Sequence, residues 1–512
     1  MKRLSLYVFC TSILLSQTPT VPANLRQELQ LITPANLKGD LSFLASDTLQ
    51  GRYTPSPGLD VAAEFIASQF RAAGLEPGGD QDYFQIANMV DRRMPTVQSI
   101  MNLQEGSQSS VVPVTFMVVT DTSAAANIEH APVIVFKAKD PDSLKGVDLA
   151  GKAVVAPGPS QAERRDINVF RKSRAFDQEV GRSGAALEIT VGPIRPGQSA
   201  TRLIEADLAQ QHHVPSLTAE SVELHKWIDQ VGTSSEARTV SVSIPAPDDQ
   251  NVTVKNVVGV LRGSDPALKN TYVMLTAHYD HVGTTETAGR SAANRPLAGG
   301  DHIFNGANDD GSGTVSVIEI ARAMAHVKPR PKRSMIFMTF FGEERGLLGS
   351  QFYGRHPRFP VADTVADLNL EQVGRTDSTE GPQVNTASLT GYDYSDVTKY
   401  LGRAGRALGV KVYLDKTASD PYFTRSDNAA LAELGVPAET LTVAFDYPDY
   451  HGLGDEWQKV DYDNMARVDR MVALGLFNIA NSANPPQWNT ANPKTLPFRE
   501  AQQKLLGQES GR

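Results

Sequence analysis

Five short stretches in the second half of the chain concentrate the side chains used in hydrolytic and metal chemistry. Ala277-His278-Tyr279-Asp280-His281 closes one apolar run, Phe341-Gly342-Glu343-Glu344 a second, and Leu370-Glu371 a third. Asn305-Gly306-Ala307-Asn308-Asp309-Asp310-Gly311 precedes a helical stretch, and Asp449-Tyr450-His451-Gly452 lies in a loop rich in Tyr, Pro and Gly. Brought to one crevice, they deliver imidazoles from two regions and at least four carboxylates. Without a cation, each unpaired buried charge loses on the order of several kcal/mol of hydration. Divalent metal is the simplest compensation, and two ions fit better than one, because a shared carboxylate bridges ions roughly 3.5–4 Å apart. Rival motifs are absent: there is no H-E-x-x-H, no G-x-S-x-G, no P-loop and no G-x-G-x-x-G. A Glu-Glu pair is ordinarily a solvated helix face. Glu343-Glu344 departs from that rule because it directly follows the apolar run 335–341.

The elements that must position these residues are also readable. Residues 272–277, 335–341 and 365–370 have strand length and apolar character, with Asp367 and Asn369 interrupting the third. A helical period runs over 313–327 between the first two, and another over 462–480. Strands alternating with helices predict an α/β fold whose mostly parallel central sheet is flanked by helices. In such sheets the ligand site lies beyond the carboxyl ends of the strands, where the reactive residues collect. Upstream, Leu37, Leu41, Leu44 and Ala45 share a helix face, and a second amphipathic run over 60–73 ends at Gly74. Between about 105 and 250 the texture changes to short β-rich runs (112–119, 131–136), a helix-like piece over 165–183 and the apolar run 185–191. This predicts a β-rich mixed domain inserted into the first, which then comprises 24–104 and 251–484. The tail, 485–512, is polar and Pro-containing and is expected to wrap the surface or fray.

Composition narrows the class of protein. The 512 residues are 40% apolar and 21% charged with a net charge of −9, which excludes a disordered chain and argues against nucleic-acid binding. Lys2 and Arg3, the uncharged apolar run 4–15 and Val21-Pro22-Ala23 make an export signal over 1–23, placing the protein in the periplasm or outside the cell. No later stretch is apolar enough to span a bilayer. The single cysteine, Cys10, falls within the signal, so the mature chain has no thiol nucleophile and no thiolate metal ligand.

The three strings Thr276-Ala277-His278-Tyr279-Asp280-His281, Asn305 to Gly313 and Phe341-Gly342-Glu343-Glu344 with Gly346-Leu347-Leu348-Gly349-Ser350 resemble the co-catalytic di-zinc aminopeptidases of the M28 family. Leu41-Ser42-Phe43-Leu44-Ala45-Ser46-Asp47 with Gly51-Arg52, and Thr424-Arg425-Ser426-Asp427 ahead of Gly435-Val436-Pro437-Ala438, agree with the same pattern. The likeness covers most of 30–480. Within the insertion, 149–155 and Gly184-Ala185-Ala186 resemble a protease-associated domain.

This resemblance implies a zinc-peptidase fold, two zinc ions per chain and a peptide or protein substrate. His278 and Glu371 would hold one zinc, Glu344 and His451 the other, and Asp309 would bridge both. Asp280 would orient His278, Glu343 would be the general base for a metal-bound hydroxide, and Tyr450 would donate to the oxyanion. Two departures stand out: the family usually has Asp at the position of Glu371, and many relatives have His at that of Asn428. A carboxypeptidase on the same fold, gripping a terminal carboxylate through Arg375 or Arg425, is one alternative. A one-zinc glutaminyl cyclase and a non-catalytic binding protein are the others.

Overall fold

Nearly continuous apolar side chains over 272–278 and 334–340 suit strands buried on both faces, and such strands form the middle of the larger sheet. A computed structural model describes residues 20–509 apart from 98–99, 161–162, 164–166, 195–200, 212, 231–236, 288–299 and 380. The expected export signal, with Cys10, lies outside the described residues except for its last few positions. In chain order the sheet contains β1 (Phe84–Arg93), β2 (Thr201–Glu205), β3 (Asp248–Leu261), β4 (Tyr272–His278) and β5 (Ser334–Phe340). It continues with β6 (Thr364–Leu370), β7 (Thr386–Leu389), β8 (Lys411–Tyr413) and β9 (Ala438–Thr442). Across the sheet the order is β8-β7-β9-β6-β4-β5-β3-β1-β2, with the short strand Glu76–Pro77 paired to β3. The central strands β9, β6, β4 and β5 are parallel, as alternation with helices requires. On one side β5, β3, β1 and β2 pair antiparallel, and on the other β7 runs antiparallel to β9.

The period of two along these strands sorts the core. Val273, Leu275 and Ala277 of β4 join one apolar layer with Phe337 of β5, and Tyr272 and Met274 join the opposite layer with Ile336 and Met338. The first layer is covered by α1 (Pro34–Leu44), α2 (Pro57–Ala72), α3 (Gly313–His326) and α4 (Tyr462–Asn481). Helices α1 and α2 start where their sequences dictate. Thr33 and Ser56 each accept an amide hydrogen bond at 3.1 Å, from Asn36 and Leu59, with Pro34 and Pro57 in the first turns.

One buried carboxyl in this layer sets a pH response. Asp469 on α4 is wholly buried, and neither carboxylate oxygen has a hydrogen-bond partner. Burial raises its pKa from 3.8 to about 8, with Glu319 adding to the shift and Ser316 and Arg470 opposing it. Between these values the folded chain holds a proton that the unfolded chain has lost, so stability falls with rising pH by about 1.4 kcal/mol per unit. Below that window the contribution is complete, and above about pH 8 it is gone. Asp469→Asn is expected to remove this slope. Urea midpoints of both chains at pH 5 and pH 8 test it, and parallel losses in the two would refute the assignment.

A second sheet of eight strands occupies most of the segment between β1 and β3. Its order is Gln108–Val112, Met101–Glu105, Arg238–Ile244, Ala126–Val135, Ala153–Pro157, Leu187–Val191, Ser216–Ala219 and Met117–Asp121. Val155, Ile189, Leu217, Trp227 and Val240 lie in a core of its own. One part of the expected insertion is placed differently: β2 is an edge strand of the first sheet, paired with β1 from Met89 to Arg93. Its Glu205 is fixed there by Arg355 and by His356, whose Nε2 lies 3.0 Å from Glu205 Oε2. The tail also differs from a frayed end. Leu496–Glu509 is a helix, and Trp488 and Phe498 stack 5.1 Å apart inside the second core layer. Among the described residues no helix is long and apolar enough to cross a membrane.

Candidate metal centre

The carboxyl ends of the parallel strands deliver the reactive groups to one place. His278 is the last residue of β4, Glu343 and Glu344 follow β5, and Glu371 follows β6. Asp309 arrives from the tight turn before α3, and His451 from the loop after β9. His451 has a positive φ of 49°, a left-handed backbone that costs a non-glycine residue about 1–3 kcal/mol and is typically kept at functional sites.

Two donor groups meet at Asp309. His278, Asp309 and Glu371 form one, and His281, Asp309, Glu344 and His451 form the other, with the ligand atoms of each group within 4.8 Å of one another. The two oxygens of Asp309 divide between them: Oδ1 lies 3.3 Å from His278 Nε2 and Oδ2 lies 3.0 Å from His451 Nε2. His451 Nε2 is also 3.2 Å from Glu344 Oε1. All five ligands expected from the sequence are therefore in the two groups, Glu371 included, its longer side chain reaching the same centre as His278.

Zinc suits this donor set on structural grounds. His278 Nε2, both ring nitrogens of His281 and Glu344 Oε1 are buried yet have no hydrogen-bond partner, a costly state for polar atoms unless a cation takes their lone pairs. Imidazole nitrogen and carboxylate oxygen are the donors zinc accepts.

The electrostatics carry the same signature. Burial opposes charge on His278, but Glu343, Asp280 and Asp309 outweigh it and hold the imidazole well above its ordinary pKa. His451 is likewise raised, against burial, to about 11 by Glu344 and Asp309. Burial would raise Asp309 and Glu344, yet the imidazoles around them prevail, leaving Asp309 well below the usual range and Glu344 at about 2. Glu371 is pushed up to about 7 by burial and then by Asp309.

The other expected site residues surround this centre. Glu343 Oε2 is 3.9 Å from His278 Nε2 and belongs to neither donor group. Burial, then repulsion from Glu371 and Glu344, raises Glu343 well above the ordinary carboxyl, despite His278 nearby. Asp280 faces His278 Nδ1 with its carbonyl at 3.2 Å and its carboxylate at 3.5 Å. Its carboxylate also accepts from Thr54 Oγ1 at 3.0 Å and from the Glu343 amide at 3.1 Å. Tyr450 stacks on His451 with ring centroids 4.1 Å apart, and burial, followed by Asp309 and Glu344, keeps its phenol protonated well above the usual value. Asn428 is buried as a pin, donating to the Phe423 carbonyl at 3.0 Å and accepting from Thr440 Oγ1 at 2.8 Å.

Arg375, one of two cations considered for gripping a substrate carboxylate, is already committed. It is buried and paired with Asp377 and Asp449, the latter at 3.0 Å. Arg425 is exposed and lies 4.7 Å over the Tyr422 ring.

Several supporting residues carry roles that sequence reasoning did not assign. Asp455 accepts from the amides of Asn308 and Asp309, at 3.0 and 3.1 Å, and so fixes the turn that carries Asp309. Asp310, not Asp309, takes the Gly313 amide at the start of α3, at 3.0 Å. Arg52 is buried and donates to the carbonyls of Tyr279, Leu44, Asn305 and Gly306 at 2.6 to 2.9 Å. His281 joins the second donor group, a role its sequence motif alone does not assign. Its signal was its place three residues past His278 on the same turn.

Residues 256–475 match the profile of peptidase family M28. The chain is similar to a probable zinc metalloprotease of Pyrenophora tritici-repentis, 26% identical over 272 residues, covering 46% of this chain and 59% of the relative. It is also similar to leucine aminopeptidase 1 of Sclerotinia sclerotiorum, 28% identical over 220 residues, covering 41% of this chain and 53% of the relative. The chain thus spans little more than half the length of these relatives. Its fold resembles that of an aminopeptidase from Aneurinibacillus sp. strain AM-1, with a TM-score of 0.55 and 18% identity, over 88% of this chain and 95% of that one.

Proposed function

We propose that the chain is an exported metallopeptidase that binds two zinc ions and removes N-terminal residues from peptides. The observation that carries this reading is the division of the Asp309 oxygens between two donor groups, each completed by an imidazole and a carboxylate. The names of the relatives, a zinc metalloprotease and a leucine aminopeptidase, support the metal and the substrate class. Export rests on the N-terminal sequence, and the eight-stranded inserted sheet is read as a protease-associated-like domain.

Bound zinc would polarise a scissile carbonyl and lower the pKa of water towards about 7. The chain's own residues do the rest. Asp280 holds the Glu343 amide and faces His278 Nδ1, so one carboxylate sets both base and ligand. The raised Glu343 carboxyl is suited to take a proton from attacking water and return it to the leaving amine. Tyr450, kept protonated, is a donor for the oxyanion. The commitment of Arg375 to two aspartates weighs against a carboxypeptidase.

Metal content with a substrate panel tests the reading. The purified chain is expected to hold two zinc ions and to cleave free aminoacyl amides and peptides while sparing their N-acetylated forms. Cleavage confined to carboxyl termini, or a chain that takes up no zinc, would overturn it.

A further inference from the structure

We infer that His281 is a fourth protein ligand of the zinc held by Asp309, Glu344 and His451, bound through Nδ1, so that the two metal positions are unequal. The inference rests on the two-zinc reading above and deepens it.

The His281 imidazole is wholly buried, and neither ring nitrogen has a hydrogen-bond partner. Its Nδ1 nonetheless lies 2.8 Å from Glu344 Oε1, itself an unpartnered atom. A close nitrogen–oxygen pair without hydrogen-bond alignment is what two ligands of one cation present, because their lone pairs converge on the ion rather than on each other. His451 supplies the next donor, its ring 5.4 Å from that of His281 and nearly perpendicular at 81°. The His281 ring is clamped in this orientation. Gly306 lies against it with φ of 57°, and a Cβ there would fall 2.4 Å from His281 Cγ. The His281 amide also donates to the Arg52 carbonyl at 3.3 Å.

The consequence follows from coordination number. Structural zinc sites are closed by four protein donors, whereas catalytic sites keep three and leave a position open. With His281, Asp309, Glu344 and His451 the second position is closed by protein. The first, with only His278, Asp309 and Glu371 as protein donors, would leave a coordination position for water or substrate. The closed position should load first and release last.

Zinc titration of the stripped full-length chain against a chromophoric chelator tests this. The wild type should bind two ions in separate steps. His281→Ala should weaken the tighter step by more than about 100-fold, beyond the usual loss for an outer-shell partner, and leave the weaker one unchanged. X-ray absorption of the zinc-loaded wild type gives a second reading that needs no variant: three imidazoles shared between two ions rather than two. Two zinc ions with unaltered affinity in His281→Ala, or only two imidazoles, would overturn the ligand role and leave the two-zinc reading intact. A wild type that binds fewer than two ions would overturn both.

Discussion

Asp309→Asn is expected to empty both metal positions together. Its Oδ1 faces the His278 group and its Oδ2 the His451 group, so no other ligand touches both. Replacing one oxygen by an amide nitrogen removes the charge that offsets repulsion between two dications, while the shape is kept. Both affinities should fall by more than about 100-fold, beyond the usual loss for an outer-shell partner. By contrast, Glu371→Ala should weaken chiefly the ion shared with His278, and Glu344→Ala chiefly the one shared with His451. A structural role for Asp309 as a helix cap would cost only about 1 kcal/mol and spare the metal. That role is already filled by Asp310, which takes the Gly313 amide. Zinc titration of the purified variant decides between them. Two tight ions with normal peptidase activity would sink the bridging role.

The second large effect is at Glu343. Glu343→Gln should lower turnover by roughly 10²–10⁴-fold, the range for loss of a general base, with zinc content and melting temperature nearly unchanged. Metal should stay because Glu343 stands outside both donor groups, and the fold should stay because the Glu343 contact with Asp280 is made by its amide. Zinc analysis alongside steady-state kinetics checks the pair of outcomes. A variant that lost zinc and regained activity in proportion to added metal would make Glu343 a ligand instead.

Part of the candidate donor set was legible in the sequence because some of its residues stand at the ends of apolar strands, whereas Asp309 and His451 come from a turn and a loop. His278 ends β4 and Glu371 is the next residue after β6, so strand period and reactive residue are read in one pass. What was not legible depends on contacts between distant segments. Nothing local tells that Asp310 rather than Asp309 caps α3, or that Asp455 holds the turn from about 150 residues away. The role of His281 emerges only when its ring is seen against Glu344. Strand β2 was assigned to the insertion because five residues carry too little pattern to reveal which sheet they join, and its place depends on Arg355 and His356 meeting Glu205. The tail reads as polar overall, yet two aromatic residues, Trp488 and Phe498, tie it into the core. Arg375 looked like a free cation until its aspartate partners were in view.

Arg52 bears on how the site is held together. Its guanidinium, surrounded by carbonyls from three separate segments, also stands near Asp280, Asp455, Asp310 and Asp309, which offset the burial that lowers its pKa to about 10. A permanent positive charge is thus built in among the carboxylates that zinc would otherwise have to neutralise alone. Small zinc modules stay unfolded until the metal arrives. Here a side chain ties three segments around the site together through its own hydrogen bonds, a link that does not pass through the metal.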